Sequence, residues 1–175
     1  MKQDEIRRPV AVIGAGETLT ACILRKLIDH PVVELTPCRA AMGLDGGQRY
    51  RAVVVENFDR TDRNSLSPCA AARWELSRRA DVTVVGLDDA EGRRLAENMP
   101  VYAYSDGRPQ ADLTAKNVRV RSNRLEFEAL TDGNLLRVQV PLLHGPRLYD
   151  YLAALAGALA VGVPLERAAR CLREI

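Results

Sequence analysis

The chain has no apolar run long enough to cross a bilayer. The longest candidate, Tyr151 to Val163, is short and broken by glycine, and Met1 to Arg8 is too polar to open a secretory signal. No membrane partner is expected, and the cytoplasm is the expected location. An excess of one charge is missing too: 25 basic residues are nearly balanced by 23 acidic ones, for a net charge of +2. So even a balance gives no electrostatic footprint for nucleic acid or an anionic membrane surface. Cysteine is sparse. Cys22, Cys38, Cys69 and Cys171 lie far apart without a Cys-x-x-Cys pair, which excludes a zinc ribbon and a disulfide scaffold and leaves buried thiols. The two histidines, His30 and His144, stand beside Pro31 and Gly145 and fall in no metal-ligand spacing, nor beside a serine or cysteine nucleophile. They read as structural or surface residues. Repeats, low-complexity tracts and linkers are absent, so 175 residues make one domain, or one domain with a small appendage, with enough chain for a substantial core.

What the chain does have is an organising stretch from Pro9 to Asp29. Val10 to Ile13 is short, apolar and β-branched, as a strand buried on both faces should be. Gly14-Ala15-Gly16 turns the chain, and from Thr18 the positions Leu19, Cys22, Ile23, Leu27 and Ile28 recur at helical spacing. Strand, glycine turn and helix make a phosphate cradle, in which backbone N–H groups and the helix N-terminus face an anion. Neither known pattern is intact. A P-loop would place Lys and then Ser or Thr after the last glycine, where this chain has Glu17 and Thr18. A dinucleotide fingerprint would have glycine where Leu19 stands, although Glu34, twenty residues after Gly14, sits where such a fold carries its ribose-binding acid. The same glutamate could equally organise Mg²⁺ beside a phosphate loop. A plain βα turn that uses glycine for its backbone angles is the third reading.

Further strands are expected at Val32–Leu35, Ala52–Val55, Val82–Val85 and Val101–Tyr104, with helices over Leu66–Arg79 and Ala90–Asn98. Alternation of this kind means a parallel sheet with helices on both faces. The pattern then changes. Lys116–Val120, Arg124–Leu130 and Leu135–Val140 alternate apolar with polar residues around the turns Ser122-Asn123 and Asp132-Gly133-Asn134, which predicts an antiparallel meander. A buried helix over Leu148–Val161 and an amphipathic one over Leu165–Arg173 complete the chain.

In this order the segments resemble the central ATPase domain of the Mur ligase family, especially its cyanophycin synthetase and tripeptide ligase branches. VAVIGAGETLTACILRKL is similar to the family's phosphate loop and helix, and VVELTPCRAAMGLDGGQRYRAVVVENFD to a stretch running from a strand-end glutamate to a strand-end asparagine. ADVTVVGLDDAEGRRLAE with VYAYS resembles the family's next strand, its Asp-Asp pair and the helix and strand after it. ADLTAKNVRVRSNRLEFEAL through VPLLHGPRLYDYLAALAGALAVGVPLERAARCL resembles the meander and the last two helices. The resemblance implies an α/β, three-layer fold of P-loop NTPase type with a mainly parallel sheet and a small antiparallel meander. It implies one central-domain-like unit over residues 1–175, with no counterpart of the family's N-terminal substrate domain or C-terminal ligase domain.

The family's ligases phosphorylate a carboxylate with ATP and pass the acyl group to an amine. On the resemblance, Gly14, Gly16, Glu17, Thr18, Asn57 and Asp150 are the nucleotide-site positions and Thr18 and Glu34 the magnesium positions. The departures are specific. Glu17 replaces the essential lysine, Phe58 to Asp62 replaces the Asp-His-Leu-Asp motif, Arg73 replaces the lysine that is carbamylated, and Asp150 replaces the asparagine that meets adenine. A unit-charge pair at ~4 Å is worth on the order of 4 kcal/mol at an effective dielectric near 20. Replacing lysine by glutamate loses one attraction and adds one repulsion, whereas helix-dipole donors return only ~0.3 to 2 kcal/mol. The expectation is that ATP and magnesium binding is weak or lost. The chain then serves as a binding, regulatory or assembly module, as a homo-oligomer or beside a partner ligase chain. Two alternatives stand: a subunit of a split ATP-dependent carboxylate-amine ligase, and a Rossmann-type nicotinamide-nucleotide binder.

Overall fold

The computed structural model of the chain describes residues 8–14, 18–36, 46–56, 68–142 and 147–175. In chain order these form β1 (Val10–Ile13), α1 (Leu19–Leu27), β2 (Val32–Leu35), β3 (Tyr50–Val55), α2 (Pro68–Arg78), β4 (Ala80–Gly86) and α3 (Ala90–Asn98). Then come β5 (Val101–Asp106), β6 (Leu113–Arg121), β7 (Arg124–Thr131), β8 (Asn134–Pro141), α4 (Leu148–Ala160) and α5 (Leu165–Arg173).

All eight strands belong to one sheet, ordered β2-β1-β3-β4-β5-β6-β7-β8. From β2 through β6 every neighbouring pair is parallel. Only β6 with β7 and β7 with β8 are antiparallel. The meander is therefore no appendage. Its first strand starts at Leu113, three residues earlier than the sequence alternation suggests, because Leu113, Thr114 and Ala115 pair with β5 and are buried on both faces. Both hairpin turns place two residues at positive φ, Ser122 (46°) with Asn123 (61°) and Asp132 (48°) with Gly133 (77°). That is the twist a two-residue hairpin requires, and it fixes the register of all three strands.

Alternation along the parallel strands sorts their side chains to two faces. Val10, Val12, Ala52, Val54 and Val84 pack against α1, α4 and α5. Ala11, Ile13, Val53, Val55 and Val85 pack against Leu76 of α2 and Leu95 of α3. Three layers result, with every residue of β1 at most 1% exposed. In α4 the unbroken buried run from Tyr151 to Ala158 shows a helix enclosed by the sheet, α1 and α5, as its alanine- and leucine-rich sequence requires. Among the described residues no helix is long and apolar enough to cross a membrane.

The strand order also locates the site. The chain steps from β1 outward to β2 and then crosses back to place β3 on the other side of β1. At such a switch point the connections leave in opposite directions and open a crevice beyond the C-terminal ends of the strands, here those of β1 and β3. A classic dinucleotide domain would instead put its third strand outside the second. The nicotinamide reading loses support on this point.

Candidate functional site

Two residues face each other across the switch point: Gly14, directly after β1, and Glu56, directly after β3. Their backbones are tied, since the Glu56 N–H donates to the Ile13 carbonyl at 3.1 Å. An added Cβ on Gly14 would lie 2.0 Å from Glu56 Oε2 and 2.9 Å from Thr18 Cγ2. Glycine is required here for the close approach, and what approaches is a carboxyl group from the same chain. The hydroxyls of Thr20 and Thr18 lie near enough to favour the charged form of the Glu56 carboxyl, while its Oε1 is buried without a hydrogen-bond partner among the described residues.

Thr18 holds the start of α1. Its backbone is extended, and its hydroxyl accepts the Ala21 N–H at 3.2 Å, which satisfies one of the helix's free donors. The Thr18 N–H itself donates to Glu34 Oε2 at 2.8 Å, and Arg25 of the same helix donates to Glu34 Oε1 at 2.6 Å. Both oxygens of Glu34 are thus turned back onto α1. On the other side, Thr20 Oγ1 donates to Asp150 Oδ1 at 3.4 Å, and Arg147 Nε pairs with Asp150 Oδ2 at 2.6 Å.

Burial pushes the Glu56 carboxyl above the ordinary glutamate range. The hydroxyls of Thr20 and Thr18 pull the other way, and the charge of Asp150 adds to the rise. Burial raises Asp150 as well, against the pull of Arg147. Beneath them lies Tyr104, fully buried; burial first and then the charges of Glu56, Asp150, Asp89 and Asp88 hold its phenol protonated far above the usual range.

A second cluster lies at the ends of β4 and β5. Asp88 accepts from Ser105 Oγ at 2.8 Å, from the Asp106 N–H at 2.7 Å and from Arg108 Nε at 3.3 Å. Burial, and then the charges of Asp88 and Asp106, push up the phenol of Tyr149 at the start of α4.

Of the residues singled out in the sequence, Gly14, Thr18, Glu34 and Asp150 line this crevice, while Gly16, Glu17 and Asn57 lie outside the described residues, as does the segment Phe58 to Asp62. Thr18 and Glu34 are in direct contact. Asp150 reaches them through Thr20 and Glu56. Arg73 is buried on α2 at 5% exposure. Sequence reading missed Glu56, Arg147 and Arg25 as site residues. Glu56 carried a signal: it ends a buried parallel run just as Gly14 does, and ends of adjacent parallel strands meet at a switch point. The two arginines carried none, since one lies on a helix face and the other precedes a helix.

No family model matches the chain. Among curated proteins, it is 30% identical over 95 residues to the UDP-N-acetylmuramoyl-L-alanyl-D-glutamate–2,6-diaminopimelate ligase of Lactiplantibacillus plantarum, covering 54% of this chain and 19% of that protein. To the chloroplastic MurE homolog of Zea mays it is 27% identical over 177 residues, covering 92% of this chain and 23% of the relative. The chain therefore spans about a fifth of the length of these curated relatives. Among solved structures, a diaminopimelate ligase superposes with a TM-score of 0.82 over 97% of this chain and 46% of its own, at 18% identity. MurF ligase from Thermotoga maritima, solved in complex with ADP, superposes with a TM-score of 0.68 over 95% of this chain and 50% of its own, at 13% identity. The two curated relatives are diaminopimelate ligases by name, and the likeness to cyanophycin synthetase rests on the motifs of this chain alone. The sequence matches and the shared fold agree: the chain is related to the Mur ligase family over that family's central domain.

Proposed function

We propose that this chain is a Mur ligase central domain whose phosphate cradle is filled by its own Glu56, and that by itself it works as a binding or assembly module without ATP-dependent ligase activity. The observation that carries this reading is the carboxyl of Glu56 against Gly14, beside the hydroxyls of Thr18 and Thr20. A phosphate would need that space and those donors, and an acid in it repels what a cation would attract.

In this arrangement Glu34, a magnesium position that the resemblance names, is turned away from a nucleotide. Both oxygens of Glu34 are engaged by Thr18 and Arg25. Glu17, where the family has lysine, adds a second acid to the loop sequence.

The test is a thermal-shift titration with ATP, ADP and AMP-PNP, with and without Mg²⁺, on wild type and on Glu17→Lys/Glu56→Ser. Ligand at a hundred times its dissociation constant stabilises by about 2.7 kcal/mol, roughly 5 to 10 °C in a domain of this size. Wild type is expected to ignore every nucleotide and the double variant to respond to Mg-ATP. Hydrolysis of ATP by wild type, abolished by Thr18→Ala or Glu34→Ala, would overturn the reading.

A second reading is one subunit of a split ligase, in which a partner chain frees Glu34 from Thr18 and Arg25. A partner chain would then have to displace Glu56 and supply a cation. Acyl-phosphate formation on mixing with such a chain supports it, and inert saturated mixtures remove it. Sedimentation equilibrium decides between a homo-oligomer and a free protomer awaiting that partner.

A further inference from the structure

Beyond its pairing with β5, strand β6 continues as an overhang. β5 reaches only Leu113, Thr114 and Ala115, whereas β7 pairs along β6 as far as Arg121. Among the described residues, nothing pairs with the other edge of Lys116 to Arg121, and all six residues are exposed. A bulge between Lys116 and Arg119, with Asn117 at φ 53°, sets the alternation along the rest of the strand. Val118 and Val120 then line one face and Arg121 the other, while Arg119 lines both.

On the valine face lies a cavity of about 610 Å³ whose apolar walls are Val118, Val120, Leu125, Leu148 and Tyr149 and whose charged lining includes Arg119, Arg147 and Asp150. Three of its wall residues are among the large apolar side chains that the described surface exposes: Val118 at 38%, Val120 at 52% and Tyr149 at 38%. Arg119 and Arg121 make no ion pair within 4 Å among the described residues; Arg119 donates to the Asn117 carbonyl at 3.4 Å and Arg121 acts on Glu126 through its charge. Glu126 is held by Arg137 and Gln139, and Glu128 by Asn117.

We infer that the β6 overhang is a docking edge for an extended segment of a partner protein in which apolar residues alternate with acidic ones. An added strand satisfies the open backbone groups of residues 116–121 and lays its apolar side chains on Val118, Val120 and Tyr149. Its acidic side chains meet Arg119 and Arg121 across the strand pair. Charge selects the partner. A second copy of this chain pairing edge to edge would set arginine against arginine, so the arrangement that blocks self-association attracts an acidic strand. The cavity shares Arg147 and Asp150 with the candidate site, but the open strand edge, Arg119 and Arg121 lie outside that site, so the inference is tested separately from the proposed function.

The probes are fluorescein-labelled peptides of four Val-Glu repeats, four Val-Lys repeats and eight glutamates, read by fluorescence anisotropy against the intact chain. The Val-Glu peptide is expected to bind about tenfold more tightly than either other peptide, and to weaken as salt rises from about 50 to about 500 mM. N-methylation of alternate backbone amides should abolish its binding with every side chain in place. Arg119→Glu/Arg121→Glu should reverse the order of the Val-Glu and Val-Lys peptides; both changes lie on an exposed overhang, and circular dichroism checks that the variant folds. Failure of the Val-Glu peptide to bind at millimolar concentration overturns the inference. Equal binding of polyglutamate would reduce the edge to a charge patch, and a dimer lost in the double variant would make a second copy the occupant; either result overturns it too.

Discussion

If Glu56 fills the cradle, Gly14→Ala and Glu56→Ala must be strongly coupled. The new methyl carbon on residue 14 would lie 2.0 Å from Oε2 and 2.8 Å from Cδ of Glu56. Gly14 is not among the glycines with positive φ, so its backbone accepts alanine and the clash is the cost. A carboxyl at the end of a flexible chain yields by swinging away, and it then gives up its two polar contacts, with the hydroxyls of Thr18 and Thr20. At about 0.5–1.5 kcal/mol each, Gly14→Ala should cost about 1–3 kcal/mol. Glu56→Ala removes the same two contacts. With the carboxyl gone, the substitution at 14 meets only Thr18 Cγ2 at 2.9 Å, so the double variant should fall short of the sum of the singles by about 1–2 kcal/mol. Urea unfolding followed by circular dichroism measures all four corners of the cycle, with equal m-values as the control. Additivity within about 0.3–0.5 kcal/mol would show that the carboxyl does not occupy the cradle in solution.

The same carboxyl gives a pH signature. Because its pKa is raised in the folded chain, the native state holds a proton that the unfolded state releases from about pH 4.3 upward; its stabilising contribution is complete below that value and lost as pH climbs through the folded pKa. Glu56→Gln should therefore flatten the decline of Tm above about pH 4.3, and parallel wild-type and variant profiles would contradict the assignment. Gly92→Ala tests the packing of α3 on β4: a Cβ there would sit 2.0 Å from the Gly86 carbonyl oxygen, a backbone atom that cannot swing away. A loss of about 1–3 kcal/mol is expected in urea unfolding, and an unchanged midpoint would mean α3 sits elsewhere. Phe127, 1% exposed on β7, packs into the core shared with α4 and α5. Phe127→Ala should cost about 3–5 kcal/mol while far-UV and near-UV transitions stay coincident, and a separately melting meander would refute a single core.

Local sequence settled most of the elements. Val10 to Ile13, the helical period after Thr18 and the alternation from Arg124 to Val140 each name their own structure, because buried strands, packed helices and half-exposed strands demand different spacings of apolar residues. Ser122-Asn123 and Asp132-Gly133 fixed the hairpins, since few other residues accept two successive positive φ angles. Gly14, Thr18 and Glu34 were legible as a candidate site from the glycine turn at a helix start, which a plain βα turn also explains.

Tertiary structure decided the rest. That β3 lies beside β1 comes from long-range pairing that no local spacing encodes, and this adjacency brings Glu56 onto Gly14. Only the fold carries Asp150 across 130 positions of sequence to Thr20 and turns both oxygens of Glu34 back onto α1. Composition could say that the loop was acidic. Whether a carboxyl stands where a phosphate would is a matter of a few ångströms, set by the packing of separate strands and by the low dielectric their burial creates.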